Sequence, residues 1–271
     1  MEPRRKLATK TIYPIGSSVQ TTRRHAIVLL HGFTQNSAVM APFARLVANL
    51  CDRTVILVDL PGHGESSHLI LDLGESAEVL AEMFPPSIFV GYSLGGRILF
   101  HLAARRPEIV AALVVMGSNP GIADPIARSD RLTADLALAA AIGKDPSRNG
   151  LENFLMRWLA SPIFGGIDPS RAGLEARLRN DPHALAEAMV RTSLGTQADM
   201  RSALADFRGE MLYLYGARDE KFSAISSQLI QEVGPHLRTL AIEGSGHWVI
   251  GEAPYRSAKA IAAFIAECAI S

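Results

Sequence analysis

Gly91-Tyr92-Ser93-Leu94-Gly95-Gly96 decides how the chain is read. The apolar run Ile88–Gly91 leads into it and the helix-patterned Leu94–Arg105 leads out of it. A serine flanked by glycines at a strand-to-helix junction marks a strained turn, because such a tight reversal leaves no room for neighbouring Cβ atoms. The turn lifts the hydroxyl above the carboxyl edge of a sheet and sets it at the amino end of a helix. The short motif alone is common; strand before and helix after make it specific.

Further apolar runs rich in β-branched residues recur on either side: Ala26–Leu30, Thr54–Asp59, Ala112–Met116, Met211–Tyr215 and Arg238–Ile242. None alternates apolar with polar, so each strand is expected to be covered on both faces, as in a parallel sheet. Thr9–Ile15 reads as an antiparallel edge strand, and Pro42–Leu50 and Tyr255–Ala269 read as helices. From Ser118 to Ala205 no strand-like run appears, while Leu, Ala, Met and Arg recur at helical spacing. That interval is too long for a simple crossover. The expected architecture is α/β: a mostly parallel central sheet with helices on both faces, formed by residues 1–117 and 206–271. Residues 118–205 are expected to form an inserted helical cap. No internal repeat or low-complexity segment is present.

Of 271 residues 48% are hydrophobic and 20% charged, with a formal net charge of zero. This balance gives no electrostatic reason to expect nucleic acid or an anionic membrane as partner, and the Arg4-Arg5-Lys6 cluster reads as solvated. The two cysteines, Cys51 and Cys268, read as inert thiols rather than a disulfide or metal site. No apolar run reaches the roughly 18 residues of a membrane span, and no secretory pattern opens the chain. A cytoplasmic protein, monomeric or weakly homo-oligomeric, is the expectation.

Serine needs a neighbouring base before it can act. The nucleophile turn, then an acid after a late strand, then a histidine after the last strand, resembles the α/β-hydrolase fold. Asp219 follows Met211–Tyr215, and His247 follows the last strand within Gly244-Ser245-Gly246-His247-Trp248. Ser93, Asp219 and His247 are therefore the expected catalytic residues. Asp124 and Asp206 fit less well, because neither directly follows a strand. An oxyanion needs two backbone N–H donors aimed at one point. Leu94 and Phe33, the latter in His31-Gly32-Phe33-Thr34, are assigned to it. His31 and His63 are expected to brace their loops. A serine at the nucleophile position excludes the dehalogenase and epoxide-hydrolase chemistry of this fold, which needs a carboxylate there.

Arg97 lies one helical turn after Ser93. A cation at that place suits an anionic substrate; a structural ion pair is the alternative. Arg128, Arg131 and the aromatic Trp158 are further candidates in the inserted segment.

Tyr92-Ser93-Leu94-Gly95-Gly96-Arg97 and Ser118-Asn119-Pro120-Gly121-Ile122 resemble the 2-succinyl-6-hydroxy-2,4-cyclohexadiene-1-carboxylate synthases of menaquinone biosynthesis. So do Arg128-Ser129-Asp130-Arg131, Trp158 with Pro162-Ile163-Phe164, Ser193-Leu194-Gly195-Thr196, Asp219-Glu220-Lys221-Phe222 and Gly246-His247. The chain departs from that family where Trp248 and Ile250 replace its usual Asn and second His. The resemblance implies a lyase: the serine, deprotonated by the histidine, removes a carbon-bound proton and pyruvate is eliminated. It implies that Arg97, with Arg128 or Arg131, clamps substrate carboxylates, and that Tyr92 and Trp158 line the pocket. The partner is then a small anionic molecule, with no metal or organic cofactor. The competing readings are a serine hydrolase using the same residues on an ester or a carbon–carbon bond, and a ligand-binding protein that merely retains the fold.

Overall fold

The computed structural model describes residues 6–16, 24–165 and 167–268; Arg4, Arg5 and Ala269 lie outside them. Seven strands form one sheet: β1 (Thr9–Ile12), β2 (Ile27–Leu30), β3 (Val55–Val58), β4 (Ser87–Tyr92), β5 (Val110–Met116), β6 (Met211–Gly216) and β7 (Leu237–Ile242). Their order is β1-β3-β2-β4-β5-β6-β7. Only β1 runs antiparallel, with Thr9 opposite Val58; every other pairing is parallel.

Side chains of β2 explain why its run does not alternate. Val28 and Leu30 enter one core with Phe89, Leu113 and Tyr213, while Ile27 and Leu29 enter a second with Ile88, Val90 and Val114. Successive residues point to opposite faces, so a strand covered twice must be apolar throughout. The second core is roofed by α1 (Ser37–Cys51) and α11 (Pro254–Glu267), the first by α2 (Leu73–Met83), α3 (Leu94–Arg105) and α9 (Glu220–Val233).

The helices deviate from expectation mainly at their ends. Helix α1 starts at Ser37 rather than Pro42, because the Asn36 side chain accepts from the Ala38 and Val39 N–H groups and caps it. Helix α2 adds to the expected helices, and Asp72 and Glu75 form a reciprocal capping box at its start. Between β5 and β6 lie α4 (Pro125–Gly143), α5 (Arg148–Leu159), α6 (Leu174–Arg177), α7 (Pro182–Arg191) and α8 (Arg201–Asp206). Ile142, Leu151, Phe154, Leu155 and Leu185 give this segment a small core of its own. Helix α8 instead packs on α3 and α9. A short α10 (Val249–Glu252) precedes α11. Among the described residues no helix is long and apolar enough to cross a membrane.

The turn between β4 and α3 is as tight as its glycines require. Ser93 has φ 51° and ψ −107°, a left-handed backbone for a residue with a side chain. Its N–H donates to Met116 O at 2.8 Å, and the Gly95 N–H donates to His31 O at 3.0 Å, so the turn is tied to the ends of β5 and β2. A Cβ on Gly95 would stand 2.6 Å from Leu30 Cβ and 2.7 Å from Leu30 O, and one on Gly91 would stand 2.6 Å from Gly96 N. Gly95→Ala is therefore expected to lower stability by about 1–3 kcal/mol through overpacking against backbone. An unchanged urea midpoint would show that the turn is looser than described.

Candidate active site

Strand ends and the loops after them carry Ser93, Asp219 and His247 to one place. Asp219 caps α9, its Oδ1 accepting from the Phe222 N–H at 3.2 Å, and its Oδ2 lies 3.2 Å from His247 Nδ1. With Nδ1–H given to the carboxylate, Nε2 keeps the lone pair. The ring is buried and stacks on Phe222, with 4.7 Å between centroids. Glu252 steadies its backbone from both sides, accepting from Gly246 N–H at 3.0 Å and Trp248 N–H at 3.2 Å. Ser93 and His247 line one cavity of about 100 Å³. Asp124 merely caps α4, accepting from the Ala127 N–H.

The assigned oxyanion donors, Phe33 and Leu94, line the same cavity, and no acceptor for either N–H is present among the described residues. The Gly32–Phe33 peptide is anchored by its oxygen, which accepts from His31 Nδ1 at 2.8 Å and Gln35 N at 3.1 Å. A trans peptide holds N–H opposite C=O, so this anchoring also aims the Phe33 N–H. His31 Nε2 accepts from Leu60 N–H, and His63 Nε2 accepts from Thr34 N–H while its Nδ1–H reaches Pro61 O. Both rings brace loops.

The cavity wall is cationic. Arg97 donates from Nε to Gln197 Oε1 at 2.5 Å and from Nη2 to Thr192 O at 2.7 Å, so neutral acceptors hold it and no ion pair is made. Burial, with Arg131 nearby, pushes its pKa down to about 9, which leaves it charged at neutral pH. Arg131 lines the cavity and pairs with buried Asp135 at 2.8 Å. Arg128, three residues earlier on α4, does not line it. Two further cations line the cavity: Arg177, which no sequence motif singled out, and Lys221, known from the sequence only as part of Asp219-Glu220-Lys221-Phe222. Arg177, 1% exposed, donates to Ala172 O and Thr34 Oγ1, and burial lowers its pKa to about 10. Lys221 stands nearby, its pKa lowered by desolvation and by Arg131. Among the described residues no carboxylate is within ion-pair distance of Arg97, Arg177 or Lys221. Tyr92 Oη, Trp158 Nε1 and Gln35 Nε2 are buried polar atoms of cavity residues with no protein partner. Among the described residues no group of three His, Cys, Asp or Glu is placed to hold a metal ion.

Residues 25–254 match the alpha/beta hydrolase fold family. The 2-succinyl-6-hydroxy-2,4-cyclohexadiene-1-carboxylate synthase of Enterobacter sp. (strain 638) is 34% identical over 211 residues, 75% of this chain and 79% of that one. The chain belongs to this synthase family. The synthase of the same name from Serratia proteamaculans (strain 568) is 32% identical over 228 residues, covering 80% of this chain and 85% of its own. The solved structure of MenH from S. aureus superimposes with a TM-score of 0.84 at 23% identity, covering 96% of this chain and 98% of that one, and shows the shared fold.

As a member of the synthase family the chain is an enzyme, and its two departures after His247 have a structural reading. Trp248 and Ile250 are 8% and 5% exposed, belong to the second core and do not line the cavity. Both substitutions therefore leave the cavity wall unchanged.

The two bracing histidines make stability pH-dependent. Burial lowers His31 from 6.5 to about 4 and His63 from 6.5 to about 3. Folded values below the unfolded one mean that the unfolded chain binds more protons between these limits. Stability is then full above pH 6.5 and declines as pH falls toward 4, by about 1.4 kcal/mol per pH unit for each ring. Urea midpoints taken from about pH 7.5 to about pH 4.5 check this. A flat profile below pH 6.5 would mean the rings are not buried neutral braces.

Proposed function

We propose that this enzyme is a carbon–oxygen lyase that eliminates pyruvate from a carboxylated cyclohexene intermediate of menaquinone biosynthesis, in the cytoplasm. One observation carries the reading: the unpaired groups on the cavity wall are donors or cations. Arg97, Arg177 and Lys221 have no carboxylate partner, and Tyr92, Trp158 and Gln35 hold buried donors unmet. Each unpaired buried donor costs about 1–3 kcal/mol, more for a charge, so such a wall suits a ligand rich in carboxylate and carbonyl oxygens. The names borne by the relatives supply the same substrate class independently of this geometry.

In this mechanism His247 Nε2 takes the Ser93 hydroxyl proton, and Asp219 stabilises the imidazolium. The Ser93 oxygen removes a proton from a ring carbon; the electron pair forms the new ring double bond and the carbon–oxygen bond to the pyruvyl group breaks. The departing enolate takes up a proton and leaves as pyruvate. Phe33 and Leu94 N–H groups stabilise enolate-like charge on the substrate, and Arg97 and Arg177 hold its carboxylates, with Arg131, paired to Asp135, beside them on the wall. Helices α4 to α7 act as a cap, contributing Arg131, Trp158 and Arg177 to the cavity.

The same triad and free N–H pair would also serve a serine hydrolase attacking a carbonyl, so the test compares the two. Pyruvate release from the enzymatically generated intermediate is measured beside p-nitrophenyl acetate hydrolysis. Fast pyruvate release with negligible ester hydrolysis is expected, and ester hydrolysis alone would overturn the lyase reading. Ser93→Ala and His247→Ala are each expected to abolish turnover with the far-UV spectrum unchanged; retained turnover in either would remove that residue from the mechanism. Arg97→Ala is expected to lower kcat/KM by about 2–4 kcal/mol, roughly 30- to 1000-fold, and a value within about twofold of wild type would remove Arg97 from substrate binding.

A further inference from the structure

Thr34, next to the oxyanion donor Phe33, has φ 65°, a left-handed backbone that a β-branched residue adopts only when its surroundings impose it. Its three polar groups are all held. The N–H donates to His63 Nε2 at 3.2 Å, the carbonyl accepts from Asn180 Nδ2 at 2.8 Å, and Oγ1 accepts from Arg177 Nη1. Two of these three holds come from the segment between β5 and β6, not from the sheet that carries Thr34. Asn180 uses its whole amide: Nδ2 also donates to Arg177 O at 2.9 Å, and Oδ1 accepts from Gly64 N–H at 2.8 Å. Thr34, Arg177 and Asn180 are 0%, 1% and 4% exposed, so water does not substitute for these contacts in the folded state.

We infer that Asn180 is a positioning residue that holds Thr34 left-handed and thereby keeps the Phe33 N–H aimed into the oxyanion hole. The peptide before Phe33 is pinned at Gly32 O, and the residue after it is pinned by this cradle, so the Phe33 N–H is left with one direction. Asn180 does not line the cavity, whereas Arg177 does, which separates the holding of the loop from contact with substrate. On this account the capping segment is part of the catalytic apparatus: unless Asn180 is seated, the oxyanion hole is misaimed. The inference rests on the assignment of Phe33 as an oxyanion donor in the proposed reaction.

Asn180→Ala, Asn180→Asp and Thr34→Gly are made singly, with Asn180→Ala also combined with Thr34→Gly. Steady-state kinetics follow whichever of pyruvate release and ester hydrolysis the wild type performs, and amide hydrogen exchange is followed across residues 31–36. Asn180→Ala is expected to lower kcat about 10- to 100-fold with KM changed less than about threefold, because aim rather than binding is lost. Asn180→Asp is expected to do the same, since it keeps the acceptor for Gly64 and loses the donor to Thr34. In the Thr34→Gly background, where a left-handed backbone needs no support, Asn180→Ala is expected to cost less than about threefold. Exchange across residues 31–36 is expected to quicken in Asn180→Ala and not in a distant surface variant. A kcat within about twofold of wild type, an equal Asn180→Ala effect in both backgrounds, or unchanged exchange would each overturn the inference. Failure of the lyase reading shows separately, as a wild type that releases no pyruvate, and leaves the exchange measurement able to decide the cradle.

Discussion

Ser93 is held in a left-handed backbone at the carboxyl end of β4, and the rest of the molecule is arranged to keep it there. The strain, on the order of 1–3 kcal/mol, persists only where surroundings over-determine it. Here the surroundings are the neighbours of β4 in the sheet: β5 accepts the Ser93 N–H through Met116 O, and the residue after β2 accepts the Gly95 N–H through His31 O. Small residues at positions 91 and 95 follow from that closeness. The same closeness brings Leu94 N–H and the Phe33 loop to a common cavity. Thr34, the other strained residue beside the site, is imposed by a comparable surplus of contacts, drawn this time from the segment between β5 and β6.

Charge divides the cavity into two kinds of arginine. Arg131 is neutralised by Asp135, whose other oxygen accepts from Ser193 Oγ and Leu194 N–H, so that pair is also part of the scaffold joining α4 to the Ser193 loop. Arg97 and Arg177 are held by carbonyl, amide and hydroxyl oxygens that orient a guanidinium without cancelling it. Burying an uncompensated cation is costly, and burial lowers the pKa of both. On the proposed reading, an anionic substrate offsets that cost when it binds.

Much of this was legible in the sequence because it rests on local rules. A strand buried on both faces must be apolar at every position, so β2, β4 and β5 stood out as runs. The Ser93 turn announced itself through its glycines, and chain order then pointed to Asp219 and His247. What stayed hidden depends on tertiary contact. Arg177 sits in Arg177-Leu178-Arg179-Asn180 among many arginines of that segment, and only packing shows which one is buried in the cavity. Arg128 and Arg131 share a motif and a helix, yet only the second reaches the wall. The start of α1 was masked by Pro42, although Asn36 carried the capping signal. Nothing around Thr34 in the sequence indicates a left-handed backbone, since its support comes from residues far along the chain.

The central claim is that Ser93 takes a proton from carbon rather than attacking a carbonyl. Single-turnover pyruvate release with substrate deuterated at the carbon that loses its proton tests it most directly, with intact-protein mass recorded during the turnover. The account predicts a primary isotope effect on the chemical step and no covalent adduct on Ser93. No isotope effect, together with a transient acyl adduct on Ser93, would contradict it.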